Sequence, residues 1–224
     1  MSRAALAVTL AAVSISGHSV RGAPIHASEV RGAGPTRSTI LVVGCIHGNE
    51  PAGIAVARRL LRLTAPRHVA VWVVPSLNPD GVTAGTRGNA HGVDLNRNFP
   101  WQWQPLHGLF DSGPRPLSEP ESRFAASLIE RVRPRITIWF HQHENVVDES
   151  GGDVAIERRF ARLAGMQSRR LPRYPGSAIG WENRRFPGTT SFAVELPPGR
   201  LSPGQADRLA RAVLGISIGS TLGP

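Results

Sequence analysis

The chain of 224 residues contains no lysine, one cysteine and one tyrosine, and its sequence shows no internal repeat. Because Cys45 is the lone thiol, an intrachain disulfide is excluded and the apolar core must stabilise the fold. We expect Cys45 to be a small apolar residue of a buried strand rather than a metal ligand. All positive charge outside histidine comes from scattered arginines, which give a formal net charge of +10. No basic run with interleaved aromatics is present, which argues against nucleic acid as a partner.

The N-terminal segment has the features of a secretory signal peptide. Arg3 precedes a short apolar stretch, and Ala27 offers a small residue before a cleavage site. The stretch is too short to favour a membrane-spanning helix, so membrane contact is expected only if the leader stays uncleaved. We therefore predict a signal peptide at 1–27, a flexible lead-in at 28–38 and a single domain at 39–224. The protein is expected to be a monomer that is secreted or held in the cell envelope.

Apolar runs typical of buried strands alternate with helical patterns along the remaining chain. The strand-like runs lie at 39–43, 68–74, 135–140 and 191–196, and the helical patterns lie at 52–61, 118–132, 153–166 and 202–216. This alternation predicts an α/β fold with a largely parallel or mixed sheet and helices on both faces. Two long segments rich in proline and glycine, 78–118 and 172–188, are predicted to be site-forming loops.

His47 and Glu50 lie three positions apart where the first strand-like run gives way to a helical pattern. An imidazole and a carboxylate at this spacing can bind one metal ion, and α/β folds place their sites at such strand ends. A catalytic zinc site needs a third protein ligand. His141 and His143, after the run at 135–140, are both candidates, and His141 is favoured because it follows the strand directly.

Two further groups of polar residues suit hydrolytic chemistry. Asn96 and Arg97 combine an amide donor with a guanidinium fork, which binds carboxylates bidentately. Arg87 is a second cation on the same loop system and could stabilise an oxyanion near a metal. Glu195 interrupts an apolar strand, where a carboxylate is costly to bury unless it is paired or functional. It is either the partner of an arginine or a general base.

Taken in order, these segments resemble the zinc metallocarboxypeptidases, the carboxypeptidase A-like family, and among them the short bacterial members such as murein peptide amidases. The matching positions are 47–50, 78–81, 87, 94–99, 118–119, 141 and 192–196. The resemblance runs from about Thr39 to Pro198. It implies an α/β fold around a mixed, mostly parallel sheet of about eight strands, and it implies that 39–224 is one catalytic domain.

The resemblance also implies a role for each candidate residue. Zn²⁺ would be bound by His47, Glu50 and His141, the general base would be Glu195, the oxyanion-stabilising arginine would be Arg87, and the substrate's terminal carboxylate would be held by Asn96 and Arg97. The family's loop tyrosine has one counterpart here, Tyr174. Its spacing to the following Gly-Ser and Trp is shorter than in the digestive members of the family. The implied reaction is hydrolysis of the C-terminal peptide bond of a peptide with a free carboxylate, with cell-wall peptides as candidate substrates.

Two other functions remain open from the sequence. Acyl-amino-acid deacylases related to succinylglutamate desuccinylase and aspartoacylase share the His-Gly-Asn-Glu and Asp-Leu-Asn-Arg stretches, but the turn at 78–81 and the leader favour a peptidase. A catalytically silent zinc- or peptide-binding module of the cell envelope is the third hypothesis. The presence of Glu195 and Arg87 argues against it.

Overall fold

An eight-stranded mixed sheet forms the centre of the protein in the computed structural model, which describes residues 13–217. The strands are β1 (Ser14–His18), β2 (Pro24–Arg31), β3 (Ser38–Val43), β4 (Val69–Val74), β5 (Ile136–Gln142), β6 (Val146–Asp148), β7 (Gln167–Arg169) and β8 (Thr190–Leu196), in the spatial order β1-β2-β4-β3-β5-β8-β6-β7. The four central strands are parallel, whereas β2 runs antiparallel to β4 and β6 antiparallel to β8. The predicted fold class is confirmed.

Among the described residues, six α-helices cover the sheet on both faces. They are α1 (Gly53–Leu60), α2 (Pro79–Ala84), α3 (Pro120–Val132), α4 (Val154–Ala164), α5 (Ala178–Arg185) and α6 (Pro203–Ser217). One core cluster holds residues of α1, α4 and α6, and the other holds residues of α3 and α5. Along β3, Ile40 and Val42 belong to the first cluster and Leu41 and Val43 to the second. From Ile40 to Val43 the strand is apolar because both of its faces are buried.

No helix within the described range of 13–217 is both long and apolar enough to cross a membrane.

The predicted loop segments contain more regular structure than their composition indicated. Helix α2 begins where a turn was predicted, because the side chain of Asn78 accepts a hydrogen bond from the Gly81 amide and caps the helix. Helix α5 lies inside the predicted loop at 172–188, with Ser177 as its capping residue. At α3 Glu119 occupies the N-cap, and Ser118 donates its hydroxyl to the Glu119 carboxylate.

The N-terminal segment differs from the predicted lead-in, because part of it belongs to the sheet. Strand β2 continues to Arg31 and pairs with β4 from Ser28 onward. Upstream, Ile25 and Ala27 are fully buried in the core cluster beneath α3. The first twelve residues of the predicted leader lie outside the described residues. Cleavage after Ala27 would remove β1 and the first half of β2, and the leader and its cleavage site stay predictions.

Helix α5 carries a carboxyl group into the core. Glu182 is 0% exposed, and its Oε1 accepts a hydrogen bond of 2.5 Å from the Thr137 hydroxyl of β5. Its Oε2 is buried and has no hydrogen-bond partner within residues 13–217. Burial raises the pKa of Glu182 to about 7 because the charged form loses its hydration. The carboxyl is therefore neutral in the folded protein through the acidic range.

Replacing Ile25 with alanine tests whether the N-terminal hairpin is part of the core. We expect a loss of about 2–5 kcal/mol in the free energy of unfolding, because a fully buried side chain leaves a cavity. The neighbouring His26 is exposed and points away, so His26→Ala is the control and should change stability by less than about 1 kcal/mol. Urea unfolding measures both values, and equal effects would contradict the placement of β2.

Glu182→Gln tests the buried carboxyl through pH. The folded pKa of Glu182 lies above its unfolded value, so its contribution is fully present below the unfolded pKa and is lost as pH rises toward about 7. At pH 5 the variant should match the wild type within about 1 kcal/mol, and at pH 8 it should be more stable by about 2–3 kcal/mol. Urea unfolding at the two pH values provides the comparison, and a pH-independent difference would refute it.

Candidate active site

The candidate residues meet at the edge of the sheet where β3, β5 and β8 end. The three strands are parallel neighbours in the sheet, so their carboxyl ends lie side by side. His47 and Glu50 follow the end of β3, and His141 lies near the end of β5. In the register of β5 and β8, His141 lies directly beside Glu195. One cavity of about 250 Å³ is lined by all eight residues to which the family resemblance gives a role, namely His47, Glu50, Arg87, Asn96, Arg97, His141, Tyr174 and Glu195.

Three side-chain atoms converge inside this cavity. Nδ1 of His47 lies 3.0 Å from Oε2 of Glu50, and Nδ1 of His141 lies 3.0 Å from the same oxygen. The two imidazole nitrogens are 3.2 Å apart. Both histidines are buried, with exposures of 1% and 4%. These atoms form a nearly equilateral triangle that could hold a metal ion.

The donor set fits zinc. Zinc accepts imidazole nitrogen and carboxylate oxygen at about 2.0–2.2 Å, and tetrahedral geometry then separates neighbouring donor atoms by about 3.4 Å. The sides of the observed triangle, 3.0 to 3.2 Å, are close to that separation. Three protein ligands and an open fourth position are typical of catalytic rather than structural zinc sites.

His143, the alternative third ligand, lies outside this triangle. The structure places it after β5 as an exposed residue on the rim of the cavity, next to Glu144. Cys45 is fully buried, and its thiol donates to the His47 carbonyl oxygen at 3.0 Å. Burial raises the pKa of the Cys45 thiol to about 12, so it stays protonated and is a poor metal ligand.

Asp94 is a site residue that the sequence reasoning missed. Its side chain is fully buried, and Oδ1 lies 2.9 Å from Nε2 of His47. A carboxylate on one ring nitrogen fixes the tautomer and leaves Nδ1 with a free lone pair toward the triangle. The position of Asp94 two residues before Asn96 was visible in the sequence. Its buried contact with His47, which lies 47 residues earlier, can be seen only in the folded structure.

Arg87 links two carboxylates of the site. Its Nε donates to Oδ2 of Asp94 at 2.8 Å, and its Nη1 donates to Oε1 of Glu50 at 2.9 Å. The arginine thereby satisfies the oxygens of Glu50 and Asp94 that face away from the histidines. Its side chain is 15% exposed and lines the cavity. The charge predicted to stabilise an oxyanion is therefore held in place by the groups that orient the triangle.

Arg97 also lines the cavity. Its Nη1 donates to the Asn96 carbonyl oxygen, and within residues 13–217 the guanidinium forms no salt bridge. Its Cζ lies 4.5 Å from the ring centroid of Tyr174 and 5.5 Å from that of Phe110. The Oδ1 of Asn96 accepts from the Ala178 amide, which directs the amide nitrogen elsewhere. An unpaired guanidinium beside a free amide donor suits a carboxylate ligand.

Two glycines bring the site loops together. A Cβ on Gly48 would lie 1.9 Å from the Gly81 carbonyl carbon, so the segment of His47 and Glu50 packs backbone to backbone against α2. Gly176 has a φ of +70°, and a Cβ there would lie 2.0 Å from the Arg97 carbonyl oxygen. Only glycine allows either contact. The loop that carries Tyr174 is therefore fixed against Arg97.

The carboxyl groups of the site have pKa values shifted in opposite directions. Burial alone would raise the pKa of Glu50 and Asp94, but hydrogen bonds and charge from the histidines outweigh it and lower both below their usual range. Burial raises the pKa of Glu195, and the nearby charge of Glu50 adds to this despite opposition from His141. The Oε2 atom of Glu195 is buried and has no hydrogen-bond partner among the described residues. Glu195 is thus the more basic carboxylate.

Comparison with known proteins identifies the family of this arrangement. The zinc carboxypeptidase family profile matches residues 4–148. The murein peptide amidase A of Vibrio campbellii is 33% identical over 204 residues, which cover 81% of this chain and 78% of that protein. The same enzyme of Escherichia coli K12 is 34% identical over 139 residues, 56% of this chain, and the match spans 57% of its length.

Solved structures agree with this assignment. The murein-tripeptide amidase of Escherichia coli O157 superposes with a TM-score of 0.72 at 25% identity, covering 97% of this chain and 95% of that one. The carboxypeptidase A of Helicoverpa armigera, at 17% identity, has the same fold with a TM-score of 0.74 over 93% of this chain and 68% of its own. The chain therefore belongs to the zinc carboxypeptidase family of metallopeptidases.

Proposed function

We propose that the protein is a zinc metallocarboxypeptidase that removes the C-terminal residue of peptides with a free carboxylate. The observation that supports this most directly is the shared cavity, which places the His47, Glu50 and His141 triangle beside Glu195 and the unpaired Arg97. Metal-assisted removal of a C-terminal residue uses a metal site, a base and a group that binds the terminal carboxylate, and all three line this cavity. An acyl-amino-acid deacylase or a silent binding module is the alternative outcome of the tests below.

Substrate binding begins at Arg97 and Asn96. A C-terminal carboxylate can accept two parallel hydrogen bonds from the guanidinium fork and one from the Asn96 amide. This anchors the terminal residue and holds the last peptide bond near the triangle, so cleavage occurs one residue from the end. Tyr174, which lies against Arg97 and is 50% exposed, covers the bound terminus.

Proton transfer is assigned to Glu195. Zinc held by His47, Glu50 and His141 supplies Lewis acidity, which lowers the pKa of water and polarises a carbonyl. Glu195 has one oxygen free of protein partners and a raised pKa, both of which suit a general base that accepts the proton of the attacking water. It then delivers that proton to the leaving amine. Arg87 stabilises the negative charge that develops on the former carbonyl oxygen.

Cell-wall peptides are the proposed physiological substrates, with the enzyme acting outside the cytoplasm. The murein peptide amidase relatives and the secretory features of the N-terminus support this choice. Incubation with muropeptides followed by mass spectrometry should release a single terminal residue, and chelation should stop the release. Turnover of N-acyl amino acids without any peptide cleavage would favour the deacylase. Fractionation and N-terminal sequencing of the protein from its host would test the location and the leader.

Glu195→Gln separates the base from the metal site. We expect kcat to fall by about 10²–10⁴-fold, because the amide accepts no proton, while zinc content stays at one ion per chain. Glu144→Gln is a matched control, since Glu144 also lines the cavity but is exposed and paired with Arg169. It should keep kcat within about threefold of the wild type. Near-normal hydrolysis by the Glu195 variant would remove Glu195 from this role.

Asp94→Asn tests the support of the metal site. The amide no longer fixes the His47 tautomer, so zinc affinity should fall by about 10–100-fold. Asp80→Asn is the control, because Asp80 is a buried carboxylate that accepts from the Arg21 amide and lies outside the donor triangle. Competition with a chromophoric chelator measures both affinities. An unchanged affinity for the Asp94 variant would contradict the proposed orientation of His47.

A further inference from the structure

Phe110 is a large apolar side chain that remains exposed beside the cavity. It lies in a short 3-10 helix, Gly108–Phe110, and is 45% exposed. Its ring lines the cavity that contains the donor triangle. Its neighbour Leu109 is 64% exposed and does not line that cavity. The position of Phe110 beside the donor triangle, rather than its exposure, suggests a role in the site.

The backbone next to Phe110 is tied to the site. The Asp94 amide donates to the Asp111 carbonyl oxygen at 2.8 Å, and the Asn98 side-chain amide donates to the Ser112 carbonyl oxygen at 2.8 Å. Asp94 and Asn98 flank Asn96 and Arg97 in the sequence. The loop that carries Phe110 is therefore anchored to the segment that carries Asn96 and Arg97.

The ring of Phe110 contacts both arginines of the cavity. Its centroid lies 5.3 Å from Cζ of Arg87 and 5.5 Å from Cζ of Arg97, within the range of cation–π attraction. Arg87 also has two carboxylate partners, whereas Arg97 forms no salt bridge within the described residues. Within residues 13–217, the Arg97 guanidinium is held by its bond to the Asn96 carbonyl oxygen and by the rings of Phe110 and Tyr174, and the charge of Asp94 also attracts it.

We propose that Phe110 is a positioning residue for the carboxylate clamp, holding Arg97 by its aromatic face so that the guanidinium fork stays free for the substrate terminus. The proposal rests on the proposed function, in which Arg97 binds that terminus. Aromatic faces suit this task because they attract the cation without occupying its hydrogen-bond donors in the plane. A carboxylate in the same place would compete with the substrate.

Kinetics of Phe110 variants with a peptide and its C-terminal amide test the proposal. For the free acid, Phe110→Ala should raise KM about three- to tenfold with kcat within about twofold, because ground-state and transition-state binding weaken equally. Phe110→Trp and Phe110→Tyr should restore KM to within about twofold, and Phe110→Leu should resemble the alanine variant. Leu109→Ala is the matched control and should resemble the wild type.

The same variants, each combined with Glu195→Gln so that the peptide is bound but not cleaved, are then compared by calorimetric titration with the two peptides. Loss of affinity for the acid but not for the amide, with zinc content unchanged, supports a contribution through Arg97. Equal KM values for the wild type and Phe110→Ala, or full rescue by leucine, would overturn the proposal. A wild type that binds the acid but cleaves no peptide would instead refute the proposed function, and the titrations would still decide the role of Phe110.

Discussion

The buried carboxylate of Asp94 is the interaction on which the site depends. A charge with no exposure to solvent is stable only if its oxygens are fully paired. Here Oδ1 lies 2.9 Å from Nε2 of His47 and accepts a hydrogen bond from the backbone amide of Asn96, while Oδ2 accepts one from Arg87. Each of these partners is itself a candidate site residue. Satisfying one buried charge thus orients a candidate metal ligand, a cation and the start of the proposed carboxylate clamp together.

The sequence predicted the central sheet well, and the candidate site residues that it named line one cavity, because both inferences depend on local patterns. The apolar runs of β3 and β5 are long enough to identify buried strands, and their ends show which polar residues meet at one edge. His141 was favoured over His143 for the same reason. Glu195 stood out because a carboxylate inside an apolar strand requires an explanation.

The remaining features depend on tertiary contacts that no local pattern reveals. Strand β2 combines polar residues with Ile25, and it is a strand because it pairs with β1 and β4. Helix α5 lies in a segment rich in proline and glycine, where composition favoured a loop. No sequence pattern indicated Phe110 as a site residue, because its contacts with Arg87 and Arg97 depend on the conformation of a long loop.

The close approach of Gly176 to Arg97 limits how this protein can change its specificity. The Phe99 amide donates to the Gly176 carbonyl, and the Gly176 amide donates to the Trp101 carbonyl, so the chain at Arg97 and the chain at Tyr174 are joined on both sides. An inserted residue near Gly176 would displace the clamp as well as the cavity wall. Exchange of a side chain that lines the cavity, such as Ile179 of α5, would leave these backbone bonds intact, whereas lengthening of the loop would not.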